Sequence, residues 1–146
     1  MNLSQDAVHR VYAPDVPEGE VCAYVFARLA QLGADLHEIS PGAVASAMSW
    51  TGEQRRRAII TALDFLSYCD EPILERRFEL WADPASNDVL ETPISSYTDS
   101  EMRQAYEEGQ LYVPAYGEVI SDFPKRISVA YYVSDFGRRI ATGESA

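Results

Sequence analysis

The spacing of apolar residues changes from helical to alternating midway along this chain. Residues 1–16 show no sustained period, although Val8, Val11 and Tyr12 are available for packing. Pro17-Glu18-Gly19-Glu20 then opens a helix with its acids in the first turn, where the helix dipole favours them. Val21, Val25, Leu29 and Leu32 recur at helical spacing, and Gly33 supplies a left-handed stop. Asp35 to Ile39 leaves room for only a turn or a very short strand. Ser40 and Pro41 fit the N-cap and first position of a second helix, whose narrow face is Val44, Ala47 and Met48. After a break at Trp50-Thr51-Gly52, Thr51 to Gln54 matches a capping box. A third helix follows to Leu66 or Tyr68, with Ala58, Ile59, Ala62, Leu63, Phe65 and Leu66 on its core face. Glu53, Arg57, Thr61 and Asp64 lie opposite, and Arg56 on the flank.

From Leu74 the period becomes two. Leu74, Phe78 and Leu80 alternate with Glu75, Arg77 and Glu79, predicting a half-buried strand. Pro84 to Asp88 is turn chemistry, and Val89 to Ile94 is the expected return strand, with Pro93 at an edge or strand end because it cannot donate to a ladder. Thr98-Asp99-Ser100-Glu101 is a second capping box, starting a short helix that ends at Gly109. Leu111 to Val113 and Ile127 to Val133 are predicted strands, separated by loops around Tyr116-Gly117 and Phe123-Pro124. In the latter strand Ile127, Val129, Tyr131 and Val133 share one face, leaving Ser128, Ala130 and Tyr132 on the other. Residues 141–146 are small and polar and expected to fray. Without an internal repeat or linker, residues 1–146 read as one α+β domain, with 17–94 as its core and 95–140 as an extension packed on it.

Composition narrows the partners more than the fold. Apolar residues make up 47% of the 146, and no apolar run approaches the ~20 residues that span a bilayer. The N-terminus lacks the basic and apolar regions of a secretion signal, so a soluble cytoplasmic protein is expected. Cys22 and Cys69, each in an apolar helical stretch, read as buried free thiols. The formal charge is −11, which disfavours phosphate-rich partners and anionic membranes. It is unevenly spread, however: residues 51–80 carry five arginines against six acids, whereas residues 81–100 carry four acids and no base.

On the residues Ser40-Pro41, the Trp50-Thr51-Gly52 break, Arg55 to Arg57 and the 73–94 hairpin, the stretch 17–94 resembles the winged helix-turn-helix superfamily. The resemblance implies a three-helix core with a β-hairpin wing, the third helix often entering the DNA major groove. It makes Arg56, Arg57 and Thr61 the reading positions, with Arg55 beside them and Arg76 or Arg77 near the wing. Against a duplex partner, Glu53 and Asp64 share the face of Arg57, and Asp83 to Asp88 at the wing tip has two acids and no base.

Reactive chemistry is sparse. His37-Glu38 has no further Cys or His placed to complete a metal site, and His9 is the only other histidine. There is no nucleophile elbow and no Gly-rich phosphate loop. Glu107-Glu108 reads as a solvated helix face, as do the pairs Arg76-Arg77, Lys125-Arg126 and Arg138-Arg139, solvated or salt-bridged. No catalytic residue, metal, cofactor or small-molecule ligand is therefore expected. Nine tyrosines are more informative, six of them between Tyr97 and Tyr132. Tyrosine offers large contact area at little rotamer entropy, which makes Tyr112, Tyr116 and Tyr132 candidate protein-interface residues. The leading expectation is a non-catalytic acidic module that recognises a protein partner or itself. A sequence-specific duplex-DNA regulator is the alternative, and an acidic mimic of nucleic acid that inhibits a basic protein is the third reading.

Overall fold

The computed structural model describes residues 8, 11–13, 15–68, 72–83 and 92–141. They form an α+β structure in two compact units, one of residues 1–75 and 131–146, the other of residues 76–130. That division differs from the expected partition at residue 94. The chain leaves the first unit along one strand and re-enters it along another, so the second unit is an insertion in sequence.

In the first unit, helix α1 (Pro17–Leu32) ends at Gly33, where φ is +56° and ψ −129°. The positive φ favours glycine, but a 3-10 turn over Gly33–Asp35 follows instead of a left-handed cap. Helix α2 (Pro41–Met48) is capped as expected, the Ala43 N–H donating to Ser40 Oγ at 3.1 Å. Val44 is its buried residue and Ala45 and Met48 pack beside it, while Ala47 faces solvent. Ser49 turns the chain in the left-handed region (φ 56°, ψ 39°), and Gly52 follows at φ +94°. Helix α3 spans Glu53–Tyr68, and the Arg56 N–H donates to the Gly52 carbonyl at 3.1 Å. The cap thus falls on Gly52, one residue beyond the Thr51 expected from sequence, because only glycine accepts that φ without strain. Ala58, Ile59, Ala62, Leu63 and Leu66 are buried against α1, with Val21, Cys22, Val25 and Leu29 opposite. Cys22 is buried and in no disulfide among the described residues; Cys69 lies outside them.

What closes this unit comes from the end of the chain. Strand β5 (Ile127–Val133) lies next to β1 (Leu74–Leu80), the order being β2-β1-β5 with β2 at Ser95–Tyr97. Its last residues also pair with 37–39: the Ile39 N–H donates to the Tyr131 carbonyl at 2.9 Å and the Val133 N–H to the His37 carbonyl at 2.8 Å. Tyr131 is fully buried, and its hydroxyl donates to Asp64 Oδ1 at 2.6 Å. Asp64 is therefore half-buried and committed to the core, not displayed on the solvent face of α3. Ser134 then makes four bonds: its N–H to the Ile73 carbonyl (3.0 Å), its hydroxyl to the Pro72 carbonyl, its Oγ accepting the Gly137 N–H (3.0 Å) and its carbonyl accepting the Arg138 N–H (2.9 Å). These seat helix α5 (Asp135–Ala141), which sequence spacing did not reveal.

The second unit has its own core of Leu80, Tyr97, Met102, Leu111, Val113 and Phe123. Strands β1 and β2 are antiparallel, Phe78 opposite Tyr97 and Leu80 opposite Ser95. The expected return strand is displaced: residues 84–91 lie outside the described residues, 92–94 are not strand, and pairing begins when the Ile94 N–H reaches the Leu80 carbonyl at 2.7 Å. Pro93, lacking a donor, stands just outside the ladder. At the far end of β1, the Trp81 N–H donates to the Arg126 carbonyl at 2.9 Å, and Arg126 Nε returns a bond to the Trp81 carbonyl at 3.0 Å. Helix α4 (Asp99–Glu108) carries the full capping box of Thr98 and Glu101 and ends at left-handed Gly109 (φ 73°, ψ 15°). Strands β3 (Leu111–Val113) and β4 (Glu118–Ile120) form a hairpin; β4 was expected as loop.

Because β5 serves two cores, its faces do not alternate as expected. Ile127 packs in the second unit's cluster and Tyr131 and Val133 in the first's, but Val129 is exposed and Ala130 is buried. At Gly137 an added Cβ would clash with the Ile73 carbonyl oxygen, itself bonded to Ser134. Gly137→Ala is expected to destabilise the protein by about 1–3 kcal/mol in urea unfolding, since backbone must move to admit the methyl group. Gly42→Ala, with open space around its Cβ, is expected to be neutral or to stabilise by up to about 1 kcal/mol.

Candidate interaction surfaces

The arginines singled out from sequence divide between the two units. On α3 of the first unit, the Arg55 guanidinium lies over the Trp50 ring, 4.5 Å from its centroid. Arg57 Nε is 3.7 Å from Glu53 Oε1, an exposed pair one helical turn apart that is worth little in water. Arg56 is exposed and lines a groove beside α2, and Thr61 is exposed on the same helix.

The two strand arginines are tied down within the second unit. Arg76 reaches Asp99 Oδ1 with Nη2 at 3.1 Å and Nε at 3.2 Å, both side chains mostly buried, and lies over the Phe78 ring at 5.3 Å. Arg77 Nε donates to Ser96 Oγ at 2.9 Å, joining β1 to β2. Both guanidiniums thus hold neighbouring elements in place, and the expected wing-tip residues 84–88 lie outside the described residues. His37 is exposed and its Nδ1 accepts from Arg138 Nη2 at 3.2 Å. Among the described residues no group of three His, Cys, Asp or Glu is placed to hold a metal, and no helix is long and apolar enough to cross a membrane.

Of the three interface tyrosines, two belong to one hairpin. In β3, Leu111 and Val113 point into the core and Tyr112 points out, 55% exposed. Directly opposite it on β4 is Val119, 51% exposed, so the two side chains share one face. Tyr116 stands in the connecting turn at 52% exposure. That turn is closed by the Tyr116 and Gly117 N–H groups on the Val113 carbonyl, with Gly117 at φ +65°. Tyr132 is separate: half-buried on β5, it bridges Glu38 in the first unit. Tyr106, also exposed, is braced edge-on against Phe123 with ring centroids 5.1 Å apart. Sequence reasoning missed Val119, because three residues are too few for alternation to declare a strand.

The hairpin is positioned from below. Buried Tyr97 donates its hydroxyl to the Tyr112 carbonyl at 2.9 Å, fixing β3 at the residue whose side chain faces solvent. The first unit offers a second concavity of about 460 Å³, bounded by Pro41, Ala45, Trp50, Arg55, Arg56 and Ile59. No protein-family model, curated protein or solved structure matches this chain.

Tyr97→Phe removes the hydroxyl's two hydrogen bonds, to the Tyr112 carbonyl and to Ser95 Oγ, without emptying the core. It is expected to cost about 1 kcal/mol and to speed amide exchange in residues 111–113 selectively, read by hydrogen–deuterium exchange.

Proposed function

We propose that this chain is a non-catalytic acidic recognition module, winged-helix-like in its first unit, that binds a protein partner through the β3–β4 hairpin of its second. The observation that carries the reading is the outward face of that hairpin, where Tyr112, Val119 and Tyr116 are each more than half exposed. Large side chains cost free energy in water, and their clustering on one fixed turn marks a surface for burial against another. Rigidity matters here: Tyr112 is held by its own backbone bond to Tyr97, so little ordering entropy is lost on docking. The winged-helix reading of the first unit draws on its order of three helices followed by β1, with residues 37–39 and β5 alongside.

A duplex-DNA regulator finds less support. Arg76 and Arg77 are engaged by Asp99 and Ser96, and Arg57 stands beside Glu53. The arginines expected near the wing are thus occupied within the protein, and the whole chain carries −11, which opposes a duplex.

A photo-crosslinking residue in place of Tyr116, used in native host extract, is expected to yield one discrete protein adduct identifiable by mass spectrometry. Tyr112→Ala, exposed and therefore fold-neutral, is expected to weaken that partner's affinity about tenfold or more. A strict monomer with no adduct, or duplex binding that falls steeply with salt and requires Arg56, would overturn the reading.

A further inference from the structure

The groove beside α3 has a chemistry distinct from the hairpin. Its floor is apolar, made by Pro41 and Ala45 of α2 and buried Ile59 of α3. Trp50 forms one wall, with the Arg55 guanidinium laid across its ring, and exposed Arg56 stands on the rim. Glu53, on that rim, faces Arg57 at 3.7 Å, and Glu18 lines an adjoining concavity with Arg55. A chain of net charge −11 therefore presents, at this spot, two guanidiniums around an apolar hollow of about 460 Å³. That size lies within the usual range for ligand pockets, ~300–1,000 Å³.

We propose that this groove docks a short acidic segment of a partner protein, an apolar side chain entering the hollow while flanking carboxylates meet Arg55 and Arg56. Charge decides the class of occupant. Guanidiniums pair with carboxylates in a forked geometry, which a basic or neutral segment does not use. A nucleic acid offers anions too, but as a long polyanion that meets the repulsion of the entire acidic surface. Salt screens charges beyond about 8 Å, so a short peptide feels chiefly the two local arginines. The stacked guanidinium also covers one face of Trp50, taking a surface on which a base would otherwise stack. Arg55 and Arg56, which sequence offered as DNA readers, are thereby reassigned to a carboxylate-bearing ligand.

The test uses the full chain and a capped synthetic peptide with one phenylalanine flanked by glutamates, followed by two-dimensional NMR. Saturable shifts are expected at the Trp50 indole and at residues 41–59. Arg55→Gln and Arg56→Gln, both exposed and so fold-neutral, are each expected to weaken binding about five- to tenfold. Replacing the peptide's phenylalanine by alanine, or its glutamates by lysines, is expected to abolish the shifts. Equal binding of the lysine peptide, shifts confined to residues 111–120, or no binding at millimolar peptide would overturn the proposal. A DNA duplex shifting the groove where the peptide does not would reassign it to nucleic acid. A dimer by light scattering that Arg56→Gln dissociates would reassign it to a second copy of the chain.

Discussion

The first unit depends on a pairing its own early sequence does not supply. Residues 37–39 are hydrogen-bonded by β5, which arrives from the far end of the chain and pairs them with Tyr131 and Val133. The same stretch buries Tyr131 against the helices and places its hydroxyl on Asp64. Ser134 immediately afterwards takes up the carbonyls of Pro72 and Ile73. A run of four residues thus satisfies backbone from two other segments and one buried phenol. Unsatisfied backbone groups in a core are costly, so the helices, Ile73 and residues 37–39 share one closing element.

This explains which features could be read from sequence. Helices α1 to α4, with the Ser40 and Thr98 caps, are specified by residues within a turn of one another, and the expected spans hold. Partnership between strands is not local. The expectation that β1 would pair with a return strand at 89–94 followed the nearest turn chemistry, whereas the structure places Ser95–Tyr97 on one side of β1 and β5 on the other. Asp64 read as solvent-facing because helical periodicity weighs only its own helix, and nothing local announces Tyr131. The face change at Val129 and Ala130 has the same origin: one strand packing into two cores cannot keep a single alternation.

Electrostatics separates display from scaffolding. Of the arginines that suggested a nucleic-acid surface, Arg76 and Arg77 serve as braces, their guanidiniums spent on Asp99 and Ser96. Arg55 and Arg56 stay on a groove wall and rim, over an apolar floor. The hairpin face is apolar and aromatic without any arginine. Tyr112 and Tyr116 were legible as interface candidates from composition alone; their alignment with Val119 needed the β3–β4 register. Under the two proposals the surfaces select by different forces, burial of rigid aromatic area on one and local charge around a hollow on the other.

Native-state hydrogen exchange at Ile39 and Val133 examines the closing strand most directly, because both amides donate across its seam. If β5 completes the first unit, these amides open only with global unfolding, at the same free energy as the Leu63 amide in the centre of α3. Exchange of Ile39 and Val133 at a much lower free energy, while Leu63 stays protected, would show helices that stand without the strand and would contradict the account.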